Sequence, residues 1–133
     1  MDSRCHILVV DDQKGVRQLL ETFFQEKGFK VTTATNGQEA VSSADRETPD
    51  LIVMDVKMPV MSGAEALARI KAKFPRLPVI MMTAYADLLM QQELARLGAE
   101  KCLLKPLELE QLYQIVDNVL KQDLDKIWSG IVC

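Results

Sequence analysis

The sequence predicts an α/β domain built on a five-stranded parallel sheet, order 2-1-3-4-5, with helices on both faces. Three observations carry that prediction. Short runs rich in Val, Ile and Leu alternate with stretches of helical periodicity along the whole chain. Runs such as Ile7–Val10 and Leu51–Met54 are apolar without interruption, as strands buried on both sides of a parallel sheet are. The 133 residues fit one domain, and right-handed crossovers leave few strand orders open.

The strands are expected at Cys5–Val10, Phe29–Ala34, Leu51–Met54, Val79–Met82 and Lys101–Leu104. Between the first two, Val16, Leu19, Leu20, Phe23 and Phe24 recur at the spacing of one helix face. Gly28 ends that helix by supplying a left-handed residue, and Gly98 does the same for the fourth helix, which contains Leu94 and Leu97. Asn36-Gly37 opens the second helix. Ser62 caps the third, whose apolar face begins with Ala64, Leu67 and Ala68. Pro75 and Pro78 bracket the return to the fourth strand. The fifth helix shows the stripe Leu109, Leu112, Val116, Val119 and Leu120, and Leu124, Ile127 and Trp128 continue it. The domain is therefore read as residues 4–122, with 123–133 a C-terminal extension or the start of a linker helix. A dimer-forming seam and a tail packed back on its own domain both fit that continuation.

Composition narrows the function. Apolar residues make up 48% and charged residues 26%, an ordinary globular mixture. A net charge of −3 with no basic stripe argues against direct nucleic-acid binding and against a polybasic membrane anchor. No apolar run approaches the roughly 18 residues of a membrane span, and Asp11-Asp12 cut off the N-terminal run before it resembles a signal peptide. The three cysteines form no CxxC and cannot all pair, so reduced thiols and a cytoplasmic location are the expectation. His6 lies at the start of the first strand, far from the ends where α/β sheets bind ligands. The methionines read as core and loop filler.

The residues that close the strands are the unusual feature. Asp11-Asp12 follow the first strand, Asp55 the third, Thr83-Ala84 the fourth and Lys105-Pro106 the fifth. In a doubly wound sheet these positions share one edge, around the ligand crevice. Taken singly, each has a plain structural reading as a turn, a cap or a solvated charge. Together they form a constellation that those readings do not explain. Two carboxylates about 5 Å apart repel by roughly 3 kcal/mol at an effective dielectric near 20. One lysine cannot neutralise three acids. An all-oxygen pocket with few protein ligands suits Mg²⁺, with Mn²⁺ as an alternative. A cation and Lys105 together attract phosphoryl oxygens, and a carboxylate facing a phosphoryl group is able to accept it as an aspartyl phosphate.

The segments VVDDQ at 9–13, PDLIVMDVKMPVMSG at 49–63, PVIMMTAYA at 78–86 and LGAEKCLLKPL at 97–107 resemble the receiver domain of two-component response regulators. The likeness spans about residues 5–122 and extends to both stand-alone relay receivers and nitrogen-regulator-type receivers. It implies a flavodoxin-like fold, with Asp55 as the acceptor of a phosphoryl group from a histidine kinase or a histidine phosphotransfer protein. It implies that Asp12 and Asp55 bind Mg²⁺ directly, with the Lys57 backbone carbonyl as a further ligand and Asp11 acting through water. Lys105 would contact Asp55 and a phosphoryl oxygen, Thr83 would bond the phosphoryl group, and the Ala84 N–H would help. Lys105-Pro106 would be a cis peptide. Tyr85 resembles a position that tunes access of hydrolytic water, beside a plain packing role. The resemblance also implies a switch in partner binding, and homodimer formation, at the face of the fourth helix, fifth strand and fifth helix.

One position departs from the family. Three residues before the lysine, where receivers often carry a switching aromatic, stands Cys102. It reads as a core-facing strand residue or as a redox-sensitive one. Two other functions compete with the receiver reading: a phosphorylation-independent docking module, and a phosphohydrolase with an aspartate nucleophile. The second lacks its usual acid two residues after the nucleophile, where Lys57 stands.

Overall fold

The computed structural model describes residues 4–85 and 87–127. Five parallel strands, β1 (His6–Val10), β2 (Lys30–Ala34), β3 (Leu51–Asp55), β4 (Val79–Thr83) and β5 (Lys101–Leu104), form one sheet in the order 2-1-3-4-5. The helices are α1 (Lys14–Glu26), α2 (Gly37–Arg46), α3 (Gly63–Lys73), α4 (Leu88–Arg96) and α5 (Leu109–Ile127). The three central strands β1, β3 and β4 are buried along their whole length, which is why their sequences read as unbroken apolar runs. The edge strands β2 and β5 are only partly covered and carry Lys and Thr among their apolar residues.

Alternation along the strands divides the core in two. Ile7, Val9, Leu51, Val53, Ile80 and Met82 face Leu20 and Phe24 of α1 and Leu112, Val116, Val119 and Leu120 of α5. Leu8, Val10, Ile52, Met54, Val79 and Met81 face Ala40 of α2, Ala66, Leu67 and Ile70 of α3, and Leu94 of α4. Local signals fix the helix ends. The Asn36 and Ser62 side chains accept the Glu39 and Glu65 N–H groups, and Asp87 accepts those of Leu89 and Met90. Gly28 and Gly98 close α1 and α4 with φ of 95° and 105°.

The structure departs from the sequence reading in a few places. Strands β3 and β4 run one residue further, so that Asp55 and Thr83 are their last members and inherit the register of the sheet. Leu19 is 55% exposed, because it lies at the rim of the α1 stripe while Leu20 and Phe24 occupy its centre. Ala68 of α3 is likewise exposed. The expected reduced thiol holds at Cys102 and not at Cys5, which is disulfide-bonded; Cys133 lies outside the described residues. Helix α5 continues to Ile127, whereas Trp128 and the rest of the extension lie outside the described residues. No helix among the described residues is long and apolar enough to cross a membrane.

Candidate functional site

The carboxyl ends of β1, β3, β4 and β5 converge on one small cleft. It has a volume of about 210 Å³ and is lined by Asp12, Gln13, Asp55, Lys57, Thr83, Ala84, Tyr85 and Lys105. Register places Asp55 opposite Met82, and Thr83 opposite Leu104 just before Lys105. The Lys105 N–H donates to the Thr83 carbonyl at 2.7 Å, tying the two strand ends together. The Lys105-Pro106 peptide is cis, as the family resemblance implied.

Each acid has a different environment. Asp11 is fully buried, with Oδ1 accepting the Gln13 N–H at 2.9 Å and Oδ2 accepting Lys105 Nζ at 2.8 Å. Asp12 is exposed at the rim. Asp55 is 8% exposed, and its Oδ1 accepts the Val56 N–H at 3.0 Å and lies 3.5 Å from Lys105 Nζ. Lysine 105 therefore sits nearer to Asp11 than to Asp55, a pairing that sequence reasoning did not foresee. Burial pushes the Asp55 carboxyl above its ordinary pKa; Lys105 opposes the shift and the Asp11 charge adds to it. Burial works to lower the Lys105 pKa, yet the hydrogen bond and charge of Asp11, joined by Asp55, raise it above the ordinary value.

One carboxylate oxygen from each of Asp11, Asp12 and Asp55 lies within 4.8 Å of the others. A raised acid beside two further carboxylates is the electrostatic cost that a divalent cation removes, and oxygen donors at this spacing fit a hard ion. Asp11 already has both oxygens engaged, so Asp12 and Asp55 are the pair free to give an oxygen directly to such an ion.

Thr83 is 2% exposed, and its hydroxyl oxygen accepts the Tyr85 N–H at 3.1 Å. Tyr85 is half exposed at the mouth, with Lys57 Nζ 4.0 Å from its ring centroid. Cys102 is not brought into the cleft. It is half-buried on β5 opposite Met81, packs on the α2–α3–α4 side of the sheet, and has its thiol pKa raised by burial.

The structure adds residues that the strand-end pattern missed. Arg17 Nη1 donates to the Asp11 carbonyl at 2.9 Å, bracing the turn that presents Asp12. Gly63, the first residue of α3, donates its N–H to the Val56 carbonyl at 2.7 Å, and a Cβ built on it would lie 2.1 Å from the Asp55 carbonyl oxygen. Only glycine lets α3 approach the acceptor strand this closely. The Met-Ser-Gly start of α3 was the available signal, although spacing alone does not say what a glycine approaches.

Comparison with known proteins decides the family. The model of the response regulator receiver domain matches residues 7–117. The chain belongs to that family. Sporulation initiation phosphotransferase F of Bacillus subtilis is 40% identical over 114 residues, spanning 86% of this receiver and 92% of the relative. The regulatory protein AtoC of Escherichia coli is also 40% identical, over 86% of this chain, but the match covers only 25% of its own length. Among solved structures, a CheY-like receiver from Methanospirillum hungatei JF-1 superposes with a TM-score of 0.91 at 26% identity, covering 93% and 99% of the two chains. CheY in the CheX–CheY–BeF₃–Mg²⁺ complex of Borrelia burgdorferi superposes at 0.82 with 29% identity, covering 86% and 88%. The protein is thus a receiver domain of two-component signal transduction, a signalling family whose acidic pocket binds Mg²⁺ and whose members interact with histidine kinases or phosphotransfer proteins.

Proposed function

We propose that Asp55 is the phosphoacceptor of this receiver and that Asp11, Asp12, Thr83, Ala84 and Lys105 complete its machinery. The observation that carries the reading is the placement of a buried, elevated-pKa carboxylate within salt-bridge distance of a lysine at the floor of a small acidic cleft. Asp55 Oδ1 is held by the Val56 N–H and Lys105; of its two oxygens, one attacks phosphorus and the other is left to the cation. An O–P bond forms and the P–N bond of the phosphohistidine donor breaks. Its electron pair returns to the imidazole nitrogen, which takes up a proton. Lys105 balances the charge on the phosphoryl oxygens, and the Thr83 hydroxyl and Ala84 N–H are the adjacent donors. Asp12, Asp55 and the Lys57 carbonyl would hold Mg²⁺, with Asp11 reaching it through water. The ion, when bound, supplies Lewis-acid neutralisation of phosphoryl charge, and Mn²⁺ suits the same oxygens.

The cleft is smaller than the roughly 300–1,000 Å³ of small-molecule sites, which favours transfer from a docked protein over turnover of metabolites. The domain is read as residues 4–122, cytoplasmic, with enzyme-like chemistry only on its own phosphorylation and dephosphorylation. Leu88, Leu89 and Leu104 are 67%, 77% and 51% exposed, which supports the α4–β5–α5 face as the surface for partners or a second copy. Direct nucleic-acid binding is not part of this reading.

Incubation with Mg²⁺ and a small phosphoramidate donor tests the assignment. The expected product is an intact-mass gain of one phosphoryl group, labile in base, lost in Asp55→Asn and abolished by EDTA. An unmodified wild-type chain, where a control receiver is labelled, would sink it.

A further inference from the structure

The Thr83 hydroxyl has a second partner, on α4. Its oxygen accepts the Tyr85 N–H, and Met90 Sδ lies 3.9 Å away, within reach of its single proton. A thioether is a weak acceptor. Thr83 is 2% exposed, however, so water offers the hydroxyl little competition. Met90 lies in the first turn of α4, where Asp87 Oδ1 accepts the N–H groups of Leu89 and Met90 at 3.0 and 3.2 Å. Its side chain packs, half-buried, against the same core as Cys102, Met81 and Leu94.

We propose that Met90 is the positioning residue of the switch, holding the Thr83 hydroxyl in the resting form and releasing it when Asp55 is phosphorylated. This rests on the phosphoacceptor reading. One hydroxyl carries one proton, so donation to sulfur and donation to a phosphoryl oxygen exclude each other. Exchange of the weak acceptor for a charged one favours the phosphorylated arrangement. It frees the first turn of α4, which bears the exposed Leu88 and Leu89. Signal thus passes from Thr83 to α4 through a methionine contact, in a chain where position 102 carries no aromatic ring to report the movement. No covalent change at Met90 or Cys102 is required.

The test is a titration of the full chain with fluoroberyllate and Mg²⁺ as a phosphoryl analogue. Met90→Leu keeps the volume and removes the acceptor. The expected result is affinity about threefold tighter than wild type, the size of one weak hydrogen bond no longer opposing the bound form. In a Thr83→Ala background the same replacement changes nothing. In the unsubstituted chain, the ¹³C signal of the Met90 methyl moves on saturation, and in Thr83→Ala it stays. The first of these shifts is read on the unsubstituted chain and so stands even if a variant folds poorly. Equal affinities of Met90→Leu and wild type, or a gain that persists without the Thr83 hydroxyl, overturn the latch alone. Absence of any Mg²⁺-dependent binding that Asp55→Asn abolishes overturns the phosphoacceptor reading and the latch with it.

Discussion

The two faces of the sheet are packed with different materials. On the α1–α5 face, Phe23, Phe24, Phe29 and Tyr113 meet edge to face, with ring centroids 5.4 to 6.5 Å apart. Lys27 Nζ sits 4.7 Å from the Tyr113 ring and 3.2 Å from Glu110, clamping the end of α1 to the start of α5. On the α2–α3–α4 face the buried side chains include Met54, Met61 and Met81 with several alanines, and none of the buried members is aromatic. Met58, Met90 and Cys102 pack around them, with Phe74 the one ring at their edge. Aromatic rings interlock in a few geometries, whereas thioethers repack at little cost. The first face is built to stay, and the second, which touches Thr83 through Met90, is built to shift.

The largest expected effect follows from that contrast. Phe24→Ala removes a fully buried ring from the rigid face and should cost about 3–5 kcal/mol, a large part of a small domain's stability. Met81→Leu, equally buried on the other face, should cost less than about 1.5 kcal/mol. Urea denaturation of both variants decides it. Similar losses would mean that the α2–α3–α4 face tolerates a volume-conserving swap no better than the other face tolerates loss of a ring.

Two glycines sharpen the same picture at the site. Gly63→Ala forces a methyl group toward the Asp55 carbonyl oxygen, and Val56 Cα would lie 2.9 Å away. Backbone cannot yield as a side chain tip can, so the cost should be about 1–3 kcal/mol, with phosphoryl uptake falling more than stability does. Gly15→Ala in α1, with nothing within 4 Å, should instead gain about 0.5–1 kcal/mol and leave uptake unchanged. Denaturation and phosphorylation rates on both variants check the pair. Equal behaviour would remove the close approach of α3 from the account of the site.

Much of this was legible in the chain. The strands β1, β3 and β4 declared themselves because burial on both faces leaves no polar interruption. Once they were ordered, Asp11, Asp12, Asp55, Thr83 and Lys105 fell on one edge without any knowledge of distance. The pairing of Lys105 with Asp11 was not legible, because it depends on a choice between carboxylates that share an edge. Gly63 and Met90 were hidden for a related reason. Each matters through a contact with another segment, and residue type alone does not state the neighbour. The exposure of Leu19 shows the limit of periodicity, which gives the direction of an apolar stripe and not its width.

The smallest effect concerns the charge that the cleft stores. In metal-free protein, burial raises the Asp55 pKa above 3.8, so folding favours the protonated form. Its contribution to stability is present below the unfolded pKa and is lost as pH rises through the higher folded value, leaving a penalty at neutral pH. Asp55→Asn keeps an Oδ1 acceptor for the Val56 N–H and removes the ionisation. The variant should therefore be the more stable protein in EDTA at pH 7, with its advantage shrinking as pH falls toward 3.8. Saturating Mg²⁺ should narrow the gap from the other side; at ten times its dissociation constant, a ligand of the native wild type alone contributes about 1.4 kcal/mol. Thermal denaturation of both proteins across pH, with and without Mg²⁺, reads all three trends. A wild type more stable than Asp55→Asn in EDTA at pH 7 would show that Lys105 outweighs burial, and that the cleft is a settled ion pair rather than a site held ready for a cation.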